Sequence, residues 1–229
     1  MEKELQLPKS VCISIPAYSG TIPVETAIHL AQAVSKLRRL GVTVVMQTER
    51  ECGLVEVTRN KLVNVFLEKS KCQKMFFLDN DIVFKADDLI RLLAWSTKYP
   101  IVGATYCVRK DNPPTFFVDL DRTGTTLNED GLLSCEGLGA GFVVIDRSVF
   151  EEMKPHTEVY VKDGETINRY FWTGVKNGKY RGEDIMFFKE WVNKHGGEII
   201  LDPCIDLQHV GHKYYDYKFS DWLKEQTPQ

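Results

Sequence analysis

The chain has 229 residues, 43% hydrophobic and 27% charged, which suits one domain with a sizeable core and is too apolar for a disordered protein. Its 29 basic and 32 acidic residues leave a net charge of −3; that excludes a protein built mainly to grip nucleic-acid backbone, whose affinity comes from massed Lys and Arg, but not a nucleic acid held by a local patch. Six cysteines without C-x-x-C spacing, a charged start lacking an apolar signal segment, and no apolar run near the ~20 residues of a membrane span predict reduced, mostly buried thiols in a cytoplasmic protein.

Residues 11–15 form a β-branched run stopped by Pro16 and a loop with Gly20 and Pro23, the pattern of a buried strand. Val24, Ala27, Ile28, Ala31, Val34, Leu37 and Leu40 recur at helical spacing and predict an apolar stripe, with Gly41 closing the helix. Residues 42–46 form a second strand, and strand–helix–strand at this spacing is a parallel βαβ unit. Thr58 is placed to cap a helix carrying Leu62, Val63, Phe66 and Leu67, and residues 75–78 form a strand ending at Asp79. Asp87 or Asp88 is placed to cap the next helix, with Leu89, Ile90, Leu92 and Leu93 inward, before a strand at 101–105.

From about Pro113 the pattern changes to short strands at 115–118, 132–134 and 142–145, which suggests antiparallel additions. Residues 154–181 read as a long irregular segment, expected to be a mobile flap. A helix over 183–195, closed by Gly196, and a strand at 198–201 complete the core. The expected fold is a single α/β, Rossmann-like domain with a mixed, mostly parallel sheet. Residues 11–112 would form one half of it, 113–212 the other and 213–229 a C-terminal extension.

The sharpest chemical feature is Leu78-Asp79-Asn80-Asp81. Two carboxylates two residues apart, just past an apolar strand, stand where open α/β sheets bind ligands. Their hard oxygens suit Mg²⁺ or Mn²⁺ bridging to a diphosphate; the same residues also serve simply to cap and turn the chain. Glu183-Asp184 opens a predicted helix, where the dipole favours carboxylates whether or not one is a general base. Gly137, Gly139 and Gly141 lack the G-x-G-x-x-G spacing and follow no dinucleotide-type βα unit. They let backbone approach a ligand or make tight turns. Tyr170, Phe171 and Trp172 either stack on sugars or bases, or anchor their segment in the core.

These elements, in order over residues 11–212, resemble the GT-A glycosyltransferases, especially the family-2-like nucleotide-sugar transferases and their stand-alone bacterial or bacteriophage members. Pro16-Ala17-Tyr18 resembles the family's nucleoside-binding opening, and Arg59-Asn60 the "RN" pair one helix before the metal motif. Residues 77–84 resemble its D-x-D strand end, residues 137–142 its glycine-rich segment, and Gly182-Glu183-Asp184 its acidic "ED" motif. Gln208-His209-Val210-Gly211-His212 is similar to the segment holding the late metal-binding histidine.

The resemblance implies a metal-dependent transfer of a sugar from a nucleotide-sugar, a UDP-sugar first, to an acceptor hydroxyl. Asp184 would be the base of an inverting reaction, with Glu183 orienting donor or acceptor. Asp79, Asp81 and His209, or alternatively His212, would hold the metal. Pro16, Ala17, Tyr18, Arg59, Asp79, Asn80, Gly139 and Ala140 would face the donor, and the resemblance makes residues 11–112 the nucleotide-binding half and 113–212 the acceptor half. The acceptor stays open among a glycan, a lipid-linked sugar, a protein and a modified DNA base. A nucleotidyltransferase is the enzyme alternative, although residues 15–20 lack the basic phosphate loop it normally needs. A catalytically silent nucleotide or sugar binder is the other. A zinc site of Cys204, His209 and His212 fits no standard ligand spacing.

Overall fold

The computed structural model describes residues 6–50, 52–110, 113–122, 124–176, 178–211 and 214–226. β1 (Ser10–Pro16) leads through α1 (Val24–Arg39) to β2 (Thr43–Glu49), and α2 (Val55–Lys69) leads to β3 (Lys74–Leu78). The short β4 (Ile82–Val83), α3 (Ala86–Trp95) and β5 (Ile101–Gly103) follow. Then come β6 (Val118–Leu120), β7 (Leu133–Leu138), β8 (Phe142–Asp146) and α4 (Arg147–Met153). Beyond them lie β9 (Glu158–Lys162), β10 (Glu165–Arg169), β11 (Gly174–Lys176) and β12 (Lys179–Arg181). The chain closes with α5 (Glu183–His195), β13 (Ile200–Leu201), β14 (Gln208–Val210), β15 (Tyr214–Tyr215) and α6 (Phe219–Gln226).

Eight strands form one mixed sheet in the order β2-β1-β3-β8-β5-β13-β7-β6. β1 is parallel to β2 and β3, and β5 to β13; the other four neighbour pairs are antiparallel. The sheet is mixed as expected but not mostly parallel: parallel pairing is confined to β1 with its two neighbours and to β5 with β13, because the strands of the second half pair antiparallel with β3, β5 and one another. The fold is a single Rossmann-like α/β domain. Phe76 and Phe77, adjacent on β3, are both fully buried and belong to opposite hydrophobic layers, as the pleat requires. Each contributes roughly 1.5–3 kcal/mol by leaving water.

Four local expectations are corrected. On α1 the buried stripe is Thr26, Leu30, Ala33 and Leu37, whereas Val24, Ile28 and Leu40 are exposed. The apolar residues fit two overlapping stripes, and Thr26 joins the buried one because its hydroxyl donates to the Ile82 carbonyl at 2.8 Å. α2 begins at Val55, so Thr58 lies inside it, with Oγ1 3.4 Å from the Leu54 carbonyl. At α3 the cap is Lys85; Asp88 sits three residues in and accepts its N–H at 2.8 Å.

The fourth correction concerns residues 154–181, which are not irregular: β9 pairs with β10 and β11 with β12, both antiparallel. Between the hairpins Tyr170 and Phe171 are fully buried. Asn60 of α2 holds them, its Nδ2 donating to the Phe171 carbonyl at 2.8 Å while its Oδ1 accepts from the N–H groups of Tyr170 (2.8 Å) and Phe171 (2.7 Å). Asn64, one turn on, exchanges hydrogen bonds with the backbone of Asn168. Such a clamp leaves no room for a flap hinged through Tyr170 and Phe171, which therefore act as core anchors. Gly41 closes α1 at φ +82° and Gly196 closes α5 at φ +63°, as the sequence predicts.

The strand order places the site. From β1 the chain crosses to β2 on one side, then returns over β1 to β3 on the other. The switch point therefore lies between β1 and β3, and ligands of such sheets bind beyond the carboxyl ends of the strands there. The loops at that point are Ala17–Pro23 after β1 and Asp79-Asn80-Asp81 after β3.

Candidate active site

Arg59 is the centre of the site. It sits on the second turn of α2 and is only 2% exposed. Its Nε donates to Glu183 Oε1 at 3.2 Å, and its Nη1 lies 3.4 Å from the Ala140 carbonyl. Nη2 lies 2.9 Å from Asp79 Oδ1 and 3.0 Å from Oδ2, with hydrogen-bond geometry to Oδ2 alone. Burial by itself would disfavour the guanidinium's charge, but Asp79 and then Glu183 outweigh it and hold the group charged. One buried cation thus joins the strand-end carboxylates to those opening α5.

Asp79 is set by the glycine segment that leads into β8 and by Tyr106. Its N–H donates to the Gly141 carbonyl at 2.9 Å. A Cβ on Gly141 would lie 2.6 Å from the Tyr106 hydroxyl and 2.8 Å from Asp79 Oδ2; one on Gly139 would lie 2.6 Å from the same hydroxyl. The glycines are thus required by the close approach of Tyr106 and Asp79, a demand internal to the protein. Tyr106 is buried and accepts from the Gly141 N–H at 3.2 Å. Burial, reinforced by the charge of Asp79, pushes its phenol well above the usual tyrosine range. Burial likewise raises the Asp79 carboxyl, with Arg59 opposing.

Asp81 lies two residues on, about one-third exposed, and carries two partners on one oxygen. Arg109 Nη2 donates to Oδ2, and His209 Nε2 stands 3.6 Å from it. Burial would raise this carboxyl, but His209 and then Arg109 outweigh it and hold it below the ordinary range. β14 brings His209 here by pairing with β4, opposite Ile82. The His209 Nδ1 donates to the Cys107 carbonyl at 2.9 Å, and its ring meets Tyr106 and Phe117 edge-on. With Nδ1 committed to the Cys107 carbonyl, Nε2 is the ring nitrogen that faces Asp81.

Asp184, in the first turn of α5, has its carboxyl raised to about 6 by burial, with Glu183 adding and Arg59 opposing. Its Oδ1 accepts from the Ile185 N–H at 2.7 Å. Asn80 Nδ2 donates to Ser19 Oγ (3.1 Å) and to the Thr21 carbonyl (2.9 Å), tying together the loops after β1 and β3. Pro16 ends β1, Ala17 donates its N–H to the Glu49 carbonyl at 3.0 Å, and Tyr18 stands 68% exposed beside Gly53. An open groove of about 640 Å³ is lined by Ser19, Thr21, Asn80, Asp81, Arg109 and Tyr214 among others.

The structure therefore brings together Arg59, Asp79, Ala140, Glu183 and Asp184, with Asp81 and His209 adjoining. The Asn80 Nδ2, the Gly139 N–H and the Ala140 carbonyl each find a partner within the protein. His212 lies outside the described residues. Among the described residues no three His, Cys, Asp or Glu side chains converge to hold a metal ion as they stand. Two residues not singled out from sequence, Tyr106 and Arg109, are built into the site; only a lone aromatic and a lone arginine near a strand end hinted at them. Each described cysteine is a free thiol, and four are buried.

No protein-family model matches the chain, and no curated protein matches it. Solved structures do share its fold. That of A197 from STIV aligns with a TM-score of 0.52 at 16% identity, covering 89% of this chain and 86% of that one. That of GalNAc-T7 with UDP, GalNAc and Mn²⁺ aligns with a TM-score of 0.52 at 14% identity over 90% of this chain. This chain spans 44% of the length of the GalNAc-T7 chain. At such identities the likeness is one of fold, and the fold is similar to that of a glycosyltransferase.

Proposed function

We propose that the protein is a metal-dependent glycosyltransferase, moving a sugar from a nucleotide-sugar, a UDP-sugar first, to an acceptor hydroxyl with inversion. The observation that carries this reading is the Asp79–Arg59–Glu183 bridge, which sets a strand-end acidic pair and a helix-start acidic pair around one buried cation. The glycosyltransferase-like fold supports the reaction class, and the UDP, GalNAc and Mn²⁺ in the GalNAc-T7 structure support the donor class.

The residues present fit a divalent cation. Asp79 Oδ1 is buried with no hydrogen-bond donor, and His209, its Nδ1 held by the Cys107 carbonyl, presents Nε2 beside Asp81. Asp79, Asp81 and His209 would hold Mn²⁺ or Mg²⁺, which when bound neutralises a diphosphate leaving group. Arg59 keeps Asp79 and Glu183 oriented and supplies fixed positive charge that needs no reorganisation. Asn80 fixes the loop after β1, where Pro16, Ala17 and Tyr18 would face the nucleoside. Tyr106 fills the space the glycines leave and buttresses His209. Asp184, with its carboxyl near 6, is ionised at neutral pH yet basic enough to take the acceptor hydroxyl's proton. Glu183, pinned by Arg59, would orient donor or acceptor beside it.

Ligand-induced stabilisation against a panel of nucleotides and nucleotide-sugars with Mn²⁺ tests the donor. A rise in Tm with a nucleoside diphosphate that chelation abolishes supports the reading; no rise with any of them refutes it.

A further inference from the structure

We infer that Arg109 is a counter-cation stored on Asp81 and transferred to the donor's diphosphate when a divalent cation takes Asp81. This rests on the metal and donor reading of the site. Arg109 and His209 meet the same oxygen, Asp81 Oδ2, so a cation bound by Asp81 and His209 must share a carboxylate already holding a guanidinium. Two cations on one carboxylate oxygen repel, and the monovalent one on a flexible stem is the one that yields.

The two arginines of the site differ in how they are held. Arg59 is buried and bridges three acceptors from Asp79, Ala140 and Glu183. The Arg109 side chain is 42% exposed, and among the described residues Asp81 is its only hydrogen-bond partner. Its backbone base is firm nonetheless. Cys107, two residues earlier, bridges to Phe116 and holds His209 through its carbonyl, and the Val108 N–H donates to Thr115 at 2.7 Å. Gly211 gives the stem a bed: a Cβ there would lie 3.0 Å from Arg109 Cδ and 3.3 Å from Nε. A held base with a releasable head is the construction of a swinging ligand.

The destination follows from charge. Arg109 is the one basic side chain among the described residues lining the groove, which also carries Glu25 and Asp81. A diphosphate entering it adds anionic oxygens, and the guanidinium fork suits two of them at once. Release from Asp81 and capture by phosphate are thus opposite ends of one movement.

The test uses the full chain, Mn²⁺ alone, and inorganic pyrophosphate at saturating Mn²⁺, with affinities read by calorimetry and by the electron paramagnetic signal of free Mn²⁺. In Arg109→Gln, Mn²⁺ alone should bind roughly 3–10-fold tighter because its competitor is gone, while pyrophosphate binds about tenfold or more weakly. Arg109→Lys keeps the charge and should hold Mn²⁺ affinity near the wild-type value. Mn²⁺ binding no tighter in Arg109→Gln, or pyrophosphate binding unchanged there, overturns the inference while wild-type binding of both ligands leaves the glycosyltransferase reading standing. A wild-type chain that binds neither overturns both.

Discussion

Asp79 and Glu183 are held on a single buried guanidinium, Asp79 against Nη2 and Glu183 against Nε of Arg59. Removing that cation leaves two carboxylates facing each other away from water. Arg59→Gln should therefore destabilise the fold by about 3–5 kcal/mol, the usual loss on breaking a buried pair. Arg59→Lys should recover part of this, since it restores charge without the fork. Urea unfolding at pH 7 measures both; an Arg59→Gln midpoint equal to wild type would contradict the bridge.

Asp184 gives two pH signatures of opposite benefit. As a base with its carboxyl near 6, it should make kcat/KM fall about tenfold per pH unit below that value, and Asp184→Asn should lower turnover by ~10²–10⁴-fold with donor affinity nearly intact. For stability the sign reverses. A carboxyl raised above its unfolded value binds its proton more readily in the folded state, so this residue's contribution declines as pH rises from about 4 to about 6. Asp184→Asn should then be more stable than wild type at pH 8, by on the order of 1–3 kcal/mol, and not at pH 4. Full turnover in the variant, or a product with the donor's own anomeric configuration, would defeat the base assignment.

Nucleoside diphosphate binding should depend on Asp81. Asp81→Asn keeps the shape and removes the charge, and with metal present it should weaken UDP by at least ~10–100-fold, the cost of losing even an outer-shell metal partner. Chelation of the wild type should do the same. Calorimetry showing equal UDP affinity in metal-free buffer would count against metal dependence.

Asn60 makes three hydrogen bonds to the Tyr170-Phe171 backbone. Asn60→Ala strands those buried groups and should cost about 2–4 kcal/mol. Amide exchange at Tyr170 and Phe171 should be slow in wild type without any ligand and accelerate in the variant. Fast exchange there in wild type would refute the clamp and revive a flap hinged through this segment.

The α/β class, the βαβ opening, the Asp79 strand end and the Glu183-start helix are legible in the sequence because each rests on local rules. These are β-branched runs, 3.6-residue periodicity, and glycines at φ +82° and +63° where helices close. The α1 stripe is misread because its apolar residues satisfy two faces, and only the buried carbonyl of Ile82, reached by Thr26, chooses between them. Residues 154–181 look irregular because their hairpins are short and half-polar. What orders them is Asn60 and Asn64 on a helix about a hundred residues away.

The sequence alone determined which residue types stand ready for chemistry: two acidic pairs, a lone arginine, a late histidine. Only the tertiary structure decided that Arg59 is shared by Asp79 and Glu183, that Gly139 and Gly141 exist to admit Tyr106, and that Arg109 competes with His209 for one oxygen of Asp81. Local pattern is written in hydrophobic period and backbone freedom. Charge sharing depends on which loops the strand order brings to the β1–β3 switch point, and pairing across such distances leaves no spacing in the chain to read.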